Sequence, residues 1–314
     1  MPKRITIIIT IVFFLIGSIL SFFMQILDRN RSDFSTKNES NGIHRAPTRI
    51  ICTAPSIVET VFALGEIERI VGISDFTTYP PQILKTERIG GYLNPDFEQI
   101  IHLRPDLLIT QGGMQKHEDF CKEKKIPLLR VDMESLDSIY QGFRQIGEAL
   151  QCPQKAEKLI QETREALHQI ENRAQALSLR PSIFISMGRK AGSLTGIYTM
   201  HPTSFINELV KIAGGNNIFD DLVGRYPQIS KESLLKRNPD WILELHPGEV
   251  IAPDLVHTFI NDWRSMPSLA AVAKERISIV TDDFLLIPGP RIVQTAQRFF
   301  DIIHEIPDRH DSNP

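Results

Sequence analysis

EQIIHLRPDLLIT at Glu98–Thr110 and ESLLKRNPDWILE at Glu232–Glu244 share one layout. Each opens with a glutamate near a helix start, continues with apolar pairs at helical spacing, and ends with Pro-Asp opening an apolar strand. The separation of Glu98 from Pro105 equals that of Glu232 from Pro239. One such unit is ordinary punctuation, because proline cannot continue a helix and biases the residue before it toward extended conformations. Its recurrence in matching surroundings predicts two pseudo-symmetric halves.

Those surroundings alternate short apolar runs with helical stretches. Arg49–Thr53 reads as a buried strand, followed by a helix from Ser56 to Gly65 in which Ser56 and Glu59 form a capping box. Strands are expected at Ile70–Ser74, Asp106–Thr110 and Pro127–Val131, and helices at Phe97–Leu103, Glu118–Lys125 and Leu136–Leu150. A second alternating region predicts strands at Ile183–Ser186, Trp241–Leu245 and Ile277–Val280, and helices at Phe205–Ala213, Lys231–Arg237 and Val293–His304. Between the two regions, Ala156, Leu159, Ile160, Thr163, Leu167, Ile170, Ala174 and Leu177 recur at helical spacing among charges. Pro153 suits a helix start, and the stretch stops before Pro181. At about 1.5 Å per residue, a helix over Pro153–Ser178 extends close to 40 Å. The fold class is therefore α/β: two lobes with mainly parallel sheets covered on both faces, joined by one long rigid helix. The expected boundaries are 48–150 for the N-terminal lobe, 151–179 for the connecting helix, 180–306 for the C-terminal lobe and 307–314 for a tail.

Lys3 and Arg4 precede an apolar run, Ile5–Leu27, long enough either for a signal peptide or for a membrane anchor, which needs about 20 residues. Both readings place the rest of the chain outside the cytoplasm, in the periplasm, since the basic pair stays inside. Residues 28–47 are polar and without apolar periodicity, as expected of a tether. No cysteine follows the apolar run to carry a lipid.

The 314 residues carry a formal charge of -3 with both signs well mixed, which argues against nucleic acid as a partner. Cys52, Cys121 and Cys152 are odd in number and far apart, with no C-x-x-C pair; buried small hydrophobes are the simplest reading, with room for one disulfide. His102, His117, His201 and His246 lie in different elements, and no H-E-x-x-H motif suggests a metal. G-x-G-x-x-G, the P-loop and G-x-S-x-G are all missing, so no enzymatic activity is expected. Asp220-Asp221 and Asp282-Asp283 read as turn and cap residues.

In an open α/β sheet, ligands sit outside the carboxyl ends of the strands. Those ends carry Pro55, Ser56, Ser74–Phe76, Gln111–Gly113, Met187–Arg189, His246 and Asp282–Phe284. Phe76 and Phe284 are the aromatic members. Rings supply large, rigid contact area at small entropic cost, which suits a bulky ligand.

RIICTAPSIVETVFALG, GISDFTTYPP and LNPDFEQIIHLRPDLLIT in the first half resemble the first lobe of class III substrate-binding proteins of ABC importers. FINELVKIAGGNNIFDD, YPQISKESLLKRNPDWIL and PGPRIVQTAQRFF resemble the second lobe, so the likeness covers nearly all of residues 48–304. Members of that family bind vitamin B12, iron siderophores or haem. Tyr79-Pro80-Pro81 and the stretch from Tyr226 to Glu232 are most similar to the members that bind vitamin B12 (cobalamin). The resemblance implies a ligand cleft lined by Phe76, Tyr92, Tyr226 and Phe284, with Gln111 where a tryptophan is expected and Ile287 where an arginine is expected. It leaves haem and a ferric siderophore open as alternatives, the latter through Arg189, Lys190 or Arg225. It also implies that Glu98 and Glu232, one per lobe, dock on arginines of a permease that works with an ATPase. A membrane-anchored ligand sensor using the same cleft is the other functional class.

Overall fold

The computed structural model describes residues 45–305, apart from residues 178 and 225. The apolar segment 1–27, residues 28–44 of the expected tether, Arg225 and the tail 307–314 lie outside the described residues. Among the described residues no helix is long and apolar enough to cross a membrane.

The chain runs β1 (Ile50–Cys52), α1 (Pro55–Ala63), β2 (Ile70–Ile73), β3 (Glu87–Arg88), α2 (Phe97–Leu103), β4 (Leu107–Gln111), α3 (Gln115–Lys124), β5 (Leu128–Val131) and α4 (Leu136–Ala149). After α5 (Pro153–Ala176) follow β6 (Ser182–Met187), α6 (Phe205–Ile212), β7 (Asn216–Asn217), α7 (Lys231–Arg237), β8 (Trp241–Leu245), α8 (Pro253–Arg264), α9 (Ala270–Ala273), β9 (Ile277–Val280) and α10 (Ile292–Ile303). The first sheet has the order β3-β2-β1-β4-β5 and the second β7-β6-β8-β9. Every pairing in both is parallel. Every residue of β1 and of β8 is buried, as expected for parallel strands covered by helices on both faces.

The repeat read from the sequence has a structural counterpart. Asp106 accepts hydrogen bonds from Thr48 N at 2.8 Å and Thr48 Oγ1 at 2.9 Å. Asp240 accepts from Ser182 N at 3.1 Å and Ser182 Oγ at 2.8 Å. Each aspartate thus ties the start of its own strand to the start of the neighbouring one, across the same interval of 58 residues. The helices before them match too: α2 and α7 each have seven residues, are capped by Asp96 and Ser230, and end on a left-handed residue, Arg104 or Asn238.

Helix α5, at 24 residues, spans about 36 Å by its rise of about 1.5 Å per residue. Ala156, Ile160, Thr163, Leu167, Ile170 and Ala174 form its buried stripe. At its start it lies tightly on α4, where a Cβ at Gly147 would stand 2.4 Å from Ala156 Cβ. Further along, Arg164 covers the Tyr140 ring at 4.5 Å, and Arg173 covers Phe300 of α10 at 4.3 Å. One helix therefore grips elements from both sides of the chain. A second polar tie crosses them: Leu136 N of α4 donates to Glu208 of α6 at 2.7 Å, and Phe205 N of α6 donates to Glu134 O at 2.7 Å.

Several expectations need correction. The Ser56–Glu59 capping box does not form, because α1 starts at Pro55, its N-cap is Ala54 and no side chain caps it. Ser56 and Glu59 are instead buried and bonded elsewhere. Pro47, placed in the tether, is buried, and its carbonyl accepts from Arg69 Nη1 at 3.3 Å. The turn assignment of the aspartates holds for Asp220, Asp221 and Asp283, and three of the four also form ion pairs: Asp221 with Arg237, Asp282 with Arg298 and Asp283 with Arg291. Helices α8 and α9 and the short edge strands β3 and β7 were not foreseen. The edge strands have two residues each and α9 only four, too little for a periodic signal, whereas α8 carries Leu255, Val256, Phe259, Ile260 and Trp263 at helical spacing and was legible but not read. The three cysteines are buried free thiols; burial pushes Cys121 up to about 11.

Candidate ligand and docking site

In each sheet the strand order reverses once, between β1 and β4 and between β6 and β8, and a crevice opens outside the carboxyl ends at such a reversal. The chemistry found at the two reversals differs.

At the first reversal, Ser56 Oγ leaves α1 to donate to Gln111 Oε1 at 2.6 Å. Tyr92 Oη donates to the Gln111 carbonyl at 2.6 Å, beside Gly112, whose φ of +67° suits a residue without a side chain. Phe76 lies against Gly91, where a Cβ would approach its Cε2 to 3.2 Å, yet the residue is 68% exposed. Phe76, Tyr92 and Gln111 therefore follow the ends of β2, β3 and β4, with Tyr92 and Gln111 hydrogen-bonded into place and the Phe76 ring left open to solvent. An exposed phenylalanine ring leaves apolar area in water that a flat ligand would cover. Behind Tyr92 stands His117, fully buried, its ring 5.9 Å from Tyr92 and 6.2 Å from Phe97. Burial lowers its pKa, so it is held neutral.

At the second reversal a charged network fills the space. Arg189 Nη1 donates to Asp262 Oδ2 at 2.6 Å and Nη2 to Glu244 Oε2 at 3.2 Å. Trp263 Nε1 donates to Glu244 Oε2 at 2.5 Å, and His246 meets Glu244 Oε1 at 3.0 Å and Glu249 Oε2 at 3.2 Å. Arg189, expected to serve an anionic ligand, is instead buried and committed to two carboxylates, which leaves it no free face for one. Lys190 beside it is exposed. Burial acts to lower the pKa of His246, but the hydrogen bond and charge of Glu244, with Glu249 beside it, outweigh burial and hold it above the usual histidine value. Among the described residues no group of three or more His, Cys, Asp or Glu could hold a metal ion.

Phe284 and Tyr226 are placed separately. Tyr226 is 53% exposed at the start of a segment in which Gln228 bridges to Tyr198. Phe284 is half-buried after β9, and the Arg291 guanidinium stands 5.7 Å from its ring centre.

Arg291 is the residue that sequence reading missed. Its Nη2 donates to Glu59 Oε1 of α1 at 2.7 Å, its Nη1 to Asp283 Oδ1 at 2.8 Å, and its guanidinium covers the Tyr79 ring at 4.2 Å. An arginine was expected near Phe284, at the position of Ile287; the structure brings one there from four residues further on. The only signal in the sequence was the pairing of an acid in α1 with a base in PGPRIV, which nothing in local spacing connects.

Glu98 and Glu232 are both exposed in the first turns of α2 and α7. Hydrogen bonding at the start of α7, to its own backbone and to Ser230, holds Glu232 below the usual carboxylate range. One turn further on, Ile101 and Leu235 are exposed at the corresponding positions.

Comparison with known proteins gives a consistent result. Residues 50–276 match the family model described as periplasmic binding protein. The chain is 28% identical over 274 residues to the uncharacterized ABC transporter substrate-binding lipoprotein YvrC of Bacillus subtilis, covering 85% of this chain and 83% of that one. It is 28% identical over 257 residues to the vitamin B12-binding protein of Pectobacterium carotovorum, covering 80% and 87%. Among solved structures, a possible iron-binding, periplasmic solute-binding protein of Staphylococcus epidermidis superposes with a TM-score of 0.71 at 27% identity, over 83% of this chain and all of that one.

Proposed function

Because this chain belongs to the periplasmic binding protein family, we propose that it captures cobalamin or a related corrinoid between its two lobes and delivers it to an ABC importer. Proteins of this family bind and hand on a solute; they do not transform it. The observation that carries the ligand class is the exposed Phe76 ring against Gly91, next in the chain to Tyr92 with its hydrogen bond to Gln111, with Phe284 on the other lobe. Apolar faces of this kind favour a large, flat molecule and leave its polar edge to groups such as Gln111. The Pectobacterium relative, which binds vitamin B12, supports the corrinoid. Helix α5 limits hinge motion, so capture needs only a small closure.

Delivery is assigned to Glu98 and Glu232. Exposed carboxylates suit bidentate recognition by arginine, and two of them on matching helices fix the orientation of docking. Residues 5–27 keep the protein on the periplasmic side, as a removed signal or as an anchor.

The test is an absorption titration of the full-length protein with cyanocobalamin, hemin and a ferric siderophore, followed by uptake with the importer reconstituted. Saturable binding of cyanocobalamin is expected; tight binding of hemin alone overturns the corrinoid assignment. The double variant Glu98→Lys, Glu232→Lys should bind ligand as before and support no uptake. Retained uptake would sink the docking role, and a protein that binds ligand but drives no uptake in any form is a sensor.

A further inference from the structure

The Glu59–Arg291 pair joins two segments 232 residues apart, one in each lobe. Its side chains are 1% and 10% exposed, so solvent does not screen it. Burying two charges costs much of what their attraction returns, and such a pair contributes little to stability relative to an apolar replacement. What it does well is define geometry, because departure of either partner strands the other. The surrounding contacts all press toward one geometry. Asp283 holds the second arm of Arg291, and the Tyr79 ring lies against the guanidinium. Gly289 lets the loop before α10 lie on α1: a Cβ there would stand 3.2 Å from Glu59 Oε2 and 3.5 Å from Ser56 Cα. Ser56, on the same helix as Glu59, is bonded to Gln111, and Phe284 lies beside Arg291, so the pair sits on the elements that carry candidate ligand groups of both lobes.

We infer that Glu59 and Arg291 are positioning residues that clasp the two lobes at one separation and so set the width of the ligand cleft before any ligand arrives. This rests on the two-lobed binding reading above, but its first test needs no ligand. Spin labels on Lys122→Cys and Glu275→Cys, both at exposed positions, report the distance between lobes in the full-length protein, since the native cysteines are buried. The distribution should be narrow in the parent and broaden in the double variant Glu59→Gln, Arg291→Met, which removes both charges together. Arg291→Lys, which keeps a cation, should largely restore the narrow distribution. Cyanocobalamin affinity should fall about ten-fold in the double variant if the competent spacing drops to about a tenth of the population. A folded double variant with the parent's distribution overturns the clasp. Should that variant not fold, Glu59→Asp shortens one arm by a methylene, and an unchanged mean distance overturns it equally. A parent that does not bind cyanocobalamin overturns the ligand assignment alone, leaving the distance result to stand.

Discussion

Replacing Arg189 with methionine separates a structural arginine from a ligand-binding one. The Arg189 side chain is 1% exposed and Glu244 is fully buried. The guanidinium also donates to the Phe259 and Ser193 carbonyls at 3.1 and 3.0 Å and stands 5.3 Å from the Trp263 ring. Arg189→Met leaves Glu244 with only the Trp263 and His246 donors and leaves Asp262 without its cation. Breaking a buried pair from one side costs about 3–5 kcal/mol. At about 2–4 °C per kcal/mol for a chain of this size, the melting temperature should fall by about 6–20 °C. Urea unfolding followed by tryptophan fluorescence is the assay, because Trp263 belongs to the network and the chain has only one other tryptophan. Adding Glu244→Gln to Arg189→Met should return a substantial part of the loss, since the amide needs no counter-charge. Stability within about 0.5 kcal/mol of the parent, a change typical of surface positions, would refute the reasoning. A simultaneous collapse of ferric siderophore binding would return Arg189 to the ligand site.

Gly147→Ala should destabilise by about 1–3 kcal/mol, because the new Cβ would meet Ala156 Cβ at 2.4 Å and force α4 from α5; thermal unfolding measures it. His246 has a folded pKa raised above its unfolded value, so its contribution is complete below the unfolded pKa of about 6.5 and fades as pH rises through the folded one. The melting temperature of the parent should therefore decline over that interval more than that of His246→Asn, and parallel curves would exclude the histidine as the cause.

Much of the candidate site could be read in the sequence because strand ends are local features. The apolar runs Leu107–Gln111 and Trp241–Leu245, with the residues that follow each, place Gln111 and His246 whatever the rest of the chain does. Glu98 and Glu232 were legible for the same reason, standing in the first turn of short helices followed by Pro-Asp. Ser56 and Glu59 misled: their spacing is that of a capping box, but Pro55 begins the helix one residue early and turns both side chains inward. Local pattern describes what a helix end can do, and burial decided what this one does.

The sequence alone determined the alternation of elements, the long helix at Pro153–Ala176 and the repeat centred on Asp106 and Asp240, because periodicity and proline act over a few residues. Only the tertiary structure decided that Arg189 is a core cation and that Arg291 reaches Glu59 across 232 residues. A charged side chain carries no mark in sequence of the partner it will meet, since the energy of an ion pair depends on distance and solvent exposure. Both are set only when distant segments pack.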